Sequence, residues 1–129
     1  MSTDSMRPDN RGEARIALPW PPSTNGLFVN ARGGRGGRFT SKEYAAWQKE
    51  AGWTLQAQRP PKFRGPVVVA IELCPPHARR FDLDNRNKAV LDLLVTHQVL
   101  PDDHDGFVRE VNVRRVETGA PCTVIVRAA

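Results

Sequence analysis

The chain has little sulfur to build with. Its two cysteines, Cys74 and Cys122, sit 48 positions apart by number (122 − 74) and form no CxxC pair. No redox or metal-knuckle motif is available, and two reduced, partly buried thiols in a cytoplasmic protein are expected. Long apolar runs are missing as well. None approaches the roughly 18–20 residues needed to span a bilayer, and no charged-then-apolar leader opens the chain. No membrane partner is therefore expected. With 129 residues, 40% hydrophobic content and mean hydropathy of −0.48, the composition fits one soluble globular domain.

Acidic side chains are scarce over most of the length. Of fourteen Asp and Glu, six (Asp82, Asp84, Asp92, Asp102, Asp103, Asp105) fall between positions 82 and 105, where only Arg86 and Lys88 are basic. Elsewhere 17 basic residues face 8 acids, and the chain as a whole carries +5. A basic body with one acidic focus points to a polyanion partner and to a local site that needs carboxylates.

The pattern divides the chain into a polar tail over 1–13 and a single domain over 14–129. "ARIALPW" (Ala14–Trp20) predicts a strand stopped by Pro21 and Pro22. "NARGGRGGRF" (Asn30–Phe39) predicts a Gly/Arg loop. Thr40 and Glu43 form a capping-box signature, opening a helix with Tyr44, Trp47, Ala51 and Leu55 on one face. "VVVAIEL" (Val67–Leu73) predicts a buried strand. A helix over Asn85–His97 would present Val90, Leu93, Leu94 and His97 to the core. Phe107–Val116 and "CTVIVRA" then read as a terminal β-hairpin. The order β-α-β-α-β-β predicts an α+β fold, with a small mixed, mostly antiparallel sheet packed against two helices.

Chemistry concentrates in "FDLDNRNKAVLDLL" (Phe81–Leu94). One reading is structural: Asp84 caps the helix, Lys88 is its i+4 partner and Asp82 is a solvated loop residue. An EF-hand loop is excluded, because its fifth, sixth and twelfth positions would be Arg86, Asn87 and Leu93. The other reading is a hard-cation site. Asp82 and Asp84 alternate on an extended segment, so both carboxylates can point one way. A third carboxylate from Asp102–Asp103 would complete an oxygen-rich set that suits Mg²⁺ or Mn²⁺. Lys88 could set an ammonium beside a phosphate. The whole suits phosphodiester cleavage.

"LPWPPSTN" (Leu18–Asn25), "DLDNRNK" (Asp82–Lys88), "AVLDLL" and "VLPDD" (Val99–Asp103) occur here in the order in which the RusA-type Holliday junction resolvases carry them. The chain resembles that family, whose members are small and often prophage-encoded endodeoxyribonucleases. The resemblance implies an α+β homodimer that binds four-way DNA junctions and nicks two strands of like polarity with Mg²⁺, or Mn²⁺ as substitute, and no small-molecule cofactor. It implies that Asp82, Asp84 and Asp103 are catalytic carboxylates and metal ligands, that Lys88 is the catalytic lysine, and that Asn85 belongs to the DNA-binding motif. Arg86 stands where the family usually has an apolar residue. The rivals are a less selective branched- or flap-DNA nuclease and a non-catalytic DNA-binding accessory protein.

Arg79, Arg80, Arg35 and Arg38 (with Arg32) suit phosphate contacts, since loop cations bind the DNA backbone without reading sequence. Trp20 is expected to pack at the strand end and Phe81 to anchor a strand end; Asn25 is a weaker polar candidate. His77 and His104 are left out of the ligand set because hard cations prefer oxygen. Asp103 could reach Asp82 and Asp84 within one chain, along the extended "QVLP" segment, or across a dimer axis. The stiffness that Pro101 gives this segment favours the first route.

Overall fold

The structure is a computed structural model. It describes residues 12–23, 28–30, 38–40, 42–76, 83, 86–102, 104 and 106–129, with 28–30 and 38–40 described by backbone alone. In chain order the elements are β1 (Glu13–Leu18), β2 (Phe28–Asn30), β3 (Arg38–Thr40), α1 (Lys42–Gln58), β4 (Val67–Leu73), α2 (Asn87–Thr96), β5 (Val108–Arg115) and β6 (Cys122–Ala128). The fold is α+β, as the sequence predicts, with the two helices packed on a mixed sheet.

The sheet has the order β1-β6-β4-β5. β6 runs antiparallel to both β1 and β4, and β4 runs parallel to β5. The expected hairpin of the last two strands is therefore not formed. Burial explains why. β6 buries Val124, Ile125 and Val126 in succession, which requires neighbours on both edges and cover on both faces. β5 alternates one apolar residue with exposed polar ones and suits an edge. The β4–α2–β5 unit thus makes a parallel crossover, and β6 fills the slot between β1 and β4.

Other boundaries shift for local reasons. β1 ends at Leu18, because Pro19 already interrupts the ladder. Thr40 ends β3 instead of capping α1, which starts at Lys42. Both ends of the expected Gly/Arg loop belong to strands, β2 and β3, which pair antiparallel from Phe28↔Thr40 to Asn30↔Arg38. α1 buries Tyr44, Trp47, Ala51, Gly52 and Leu55, the predicted stripe with one glycine added. That glycine has a reason: a Cβ at position 52 would lie 2.8 Å from His97 Nε2, so the α2 end packs over bare backbone.

α2 is shorter than predicted, ten residues from Asn87 to Thr96, and buries Ala89, Val90, Leu93 and Leu94. His97 is its C-cap and lies half-buried against α1, where Nδ1 is 3.2 Å from Gln56 Nε2. The core is continuous between helices and sheet, and includes Ile16, Leu55, Val69, Ile71 and Leu94. Cys122 belongs to it, and burial pushes its thiol up to about 12, which makes it a packing residue. Both cysteines are free. No helix among the described residues is long and apolar enough to cross a membrane.

The crossover fixes where each loop emerges. Leu18, Cys122, Leu73 and Arg115 form one row across the sheet, and Val67, Val108 and Ala128 form the row at the other end. Six residue steps separate the rows along β4, about 20 Å at roughly 3.3 Å each. α2 starts near the first row and returns the chain to the second.

Candidate active site

The N-terminal end of α2 is tied into the fold by contacts distant in sequence. Its N-cap is Arg86, with φ −118° and ψ −10°, and no side-chain cap bond is made. The first turn itself, Asn87 to Val90, holds no acidic residue. Asp84, considered as the cap from the sequence, lies two positions before the N-cap and outside the described residues. Support comes from far along the chain. The Arg86 guanidinium lies 4.8 Å over the Trp20 ring, and Nη1 donates to the Pro21 carbonyl at 2.5 Å. Trp47 Nε1 of α1 in turn donates to the Pro19 carbonyl at 3.2 Å. Trp20 does pack at the strand end, and its partly buried ring is the platform for Arg86. Pro19, Trp20, Trp47 and Arg86 wall an open groove of about 630 Å³ that Glu43 and Glu50 of α1 also line.

Lys88 is the second residue of α2 and projects outward. Its Nζ lies 3.3 Å from Asp92 Oδ1 one turn on, and the side chain is 52% exposed. Exposure matters here because an ammonium that must meet a DNA phosphate has to be reachable. Asp92 is also felt across the helix pair: burial, then its negative charge, raises the Tyr44 phenol above the usual range. The acid therefore sits between Lys88 and α1.

At the far end of the unit, Asp102 is exposed, with Oδ2 3.9 Å from His104 Nε2. His104 Nδ1 accepts from the Gly106 N–H at 3.0 Å, which leaves the Nε2 edge to face the acid. The loop is tied to the sheet. The N–H groups of Phe107 and Val108 donate to the His104 carbonyl, and the Val67 N–H donates to the Phe107 carbonyl.

Asp82, Asp84, Asp103, Asn85, Arg79, Arg80 and Arg35 lie outside the described residues, as do Asn25, Arg32, His77 and Phe81. Arg38 is placed only as a backbone position in β3. Among the described residues no group of three His, Cys, Asp or Glu could hold a metal ion. The sequence missed the Arg86–Trp20 contact. The available signal was an arginine set inside an acidic motif, but 65 positions separate it from its carbonyl partner, beyond the reach of any local rule.

Residues 19–127 match the family model described as Endodeoxyribonuclease RusA. The chain belongs to the RusA family. Over 80 residues it is 38% identical to the crossover junction endodeoxyribonuclease RusA of Escherichia coli (strain K12), covering 61% of this chain and 64% of that protein. The corresponding Shigella sonnei protein matches to the same extent. The one from Enterobacteria phage 82 is 36% identical over 80 residues. The similarity thus spans just under two thirds of the length of these RusA relatives.

Proposed function

We propose that this RusA-family protein is a homodimeric endodeoxyribonuclease that binds four-way junction DNA and resolves it by paired symmetric nicks. Asp82, Asp84 and Asp103 would hold a divalent cation, Mg²⁺ with Mn²⁺ as substitute. The donor set fits a hard ion: all three are oxygen ligands, while the thiol of Cys122 is locked in the core. Such an ion, when bound, lowers the pKa of an attacking water and neutralises charge on the phosphate. The chain's own part is to orient the scissile phosphate and to set the Lys88 ammonium where charge grows in the transition state. What carries the reading is the family match that encloses Asp82–Lys88, with Lys88 half-exposed on the first turn of α2.

The deciding experiment is cleavage of a mobile four-way junction beside duplex and flap DNA, with Mg²⁺, Mn²⁺ or EDTA. Junction nicking in either metal, lost in EDTA, is expected. Equal cutting of flaps would make the protein a less selective branched-DNA nuclease, and binding with no cutting in any metal would make it an accessory DNA-binding protein.

Two further expectations concern the basic residues. Lys88→Ala should lower kcat on the order of 10²- to 10³-fold, the scale of one lost transition-state charge contact. Folding should be nearly unchanged, because the exposed Lys88–Asp92 pair contributes only about 0.3–0.5 kcal/mol. Lost junction affinity with kcat intact would assign Lys88 to DNA grip instead. Junction affinity should also fall steeply with salt, by on the order of 10³-fold between about 50 and 200 mM, as many phosphates give up their counterions. A flat salt response would contradict the polyanion reading.

The dimer has a second purpose in this reading. Arg86 reaches Trp20 and Pro21, which follow Leu18, at one end of the sheet. Val99 and Phe107, bonded to Phe63 and Val67, flank Asp102 at the other end. Asp82 and Asp84 precede α2 in the sequence and Asp103 follows it, and the proposal brings them together between two protomers, with Asp82 and Asp84 from one and Asp103 from its partner.

A further inference from the structure

Arg86 is bound to the loop after β1 by two contacts of different kinds, a guanidinium face on the Trp20 ring and an N–H donated to the Pro21 carbonyl. Both join parts of the chain that no other described element links at this point. The loop is itself fixed to α1 through the Trp47 bond to the Pro19 carbonyl. The Arg86 N-cap makes no side-chain cap bond and the first turn of the helix holds no acid, so the tertiary contacts of Arg86 are a described means of fixing where α2 starts. Lys88 stands two residues on, with its ammonium 3.3 Å from Asp92 Oδ1 on the exposed face. Among the described residues, the anchored Pro19–Trp20–Pro21 loop is the tertiary reference to which Arg86 ties the start of α2.

We propose that Arg86 is a positioning residue: by clamping the start of α2 to Trp20 and Pro21, it sets the register in which Lys88 meets the scissile phosphate. The proposal rests on the nuclease reading above. Arg suits the task where Lys would serve less well. Its planar fork can stack on an indole and donate in its own plane at once, whereas an ammonium offers a point charge on a flexible stem.

The test uses the full chain and a synthetic four-way junction, with single-turnover cleavage in Mg²⁺ and affinity in EDTA. Arg86→Ala should slow cleavage by roughly tenfold to a hundredfold, the cost of displacing a catalytic group by about 1 Å, with affinity unchanged within about threefold. Trp20→Ala should reproduce the loss, and the double variant should be no slower than either single one. The discriminating measurement is the Lys88→Ala background, where adding Arg86→Ala should cost less than about threefold, because the group being positioned is already gone. Arg86→Lys, which keeps a cation for the ring and guards against a failure of Arg86→Ala to fold, should recover part of the rate.

Wild-type rate in Arg86→Ala would overturn the proposal. So would lost affinity at an unchanged rate, or a full loss that persists in the Lys88→Ala background. No recovery in Arg86→Lys would count against the clamp in the same way. Failure of the wild-type protein to cut junctions at all would overturn the nuclease reading and this proposal with it. A wild-type protein that cuts, beside an Arg86→Ala variant that cuts equally well, would overturn only the proposal.

Discussion

Asp82→Asn, Asp84→Asn and Asp103→Asn are each expected to reduce junction cleavage by on the order of 10³-fold or more, since a Lewis acid supplies several kcal/mol and each 1.36 kcal/mol is tenfold in rate. Junction binding should stay equal or become tighter, because each substitution removes a negative charge that repels the phosphates. Asn retains the shape and one oxygen of Asp, so the loss would report charge and ligand strength, with little change of packing. Asp102→Asn serves as the internal control. Adjacent side chains on extended backbone point to opposite sides, and Asp102 is exposed and engaged by His104. Its variant should keep most of the activity. If Asp102→Asn were inactive and Asp103→Asn active, the assignment would be off by one position. Gel-shift affinity in EDTA beside nicking assays in Mg²⁺ gives both quantities.

The parts of this fold that were legible in the sequence are those whose pattern is set locally. "VVVAIEL" and "CTVIVRA" are apolar segments bounded by Pro or Gly, and both form strands over the expected residues. The stripe Tyr44, Trp47, Ala51, Leu55 has helical spacing and is buried. Pairing was not legible. Nothing in β5 or β6 alone states that β6 leaves its neighbour in sequence to lie between β1 and β4; that follows from how much apolar surface each strand must hide once α2 covers the sheet. The helix start was misjudged for a related reason. Asp84 and Asn85 are good capping types and lie outside the described residues, while the N-cap is Arg86, which contacts Trp20 and Pro21. In the candidate site, Lys88 was found by its spacing from the acids, and the structure places it on an exposed helical turn. Arg86 acts through a partner 65 positions away, and one sequence carries no mark of that.

Mixing Asp82→Asn subunits with Asp103→Asn subunits is expected to restore nicking of one strand, although each variant alone is inactive. An extended "QVLP" segment would favour a site closed within one chain, but Gln98 sits at φ 64° and the Val99 N–H bonds back to the Leu94 carbonyl, so the segment turns. The shared arrangement is our proposal. α2 spans ten residues, about 15 Å at roughly 1.5 Å each, and it runs between ends of the sheet that lie about 20 Å apart. Its start is clamped at the Leu18 end through Arg86, while the segment after it is bonded to Phe63 and Val67 at the Val67 end. Carboxylates that share one cation need their oxygens within a few ångströms of one another, at roughly 2.0–2.1 Å from Mg²⁺. In a homodimer, a two-fold axis could let Asp103 of one protomer serve Asp82 and Asp84 of its partner. In the mixed dimer one site would then carry both lesions and the other would be whole, so a junction labelled on each strand should show a nick on a single strand. If each site were built from one chain, both sites of the mixed dimer would be damaged and neither strand would be cut.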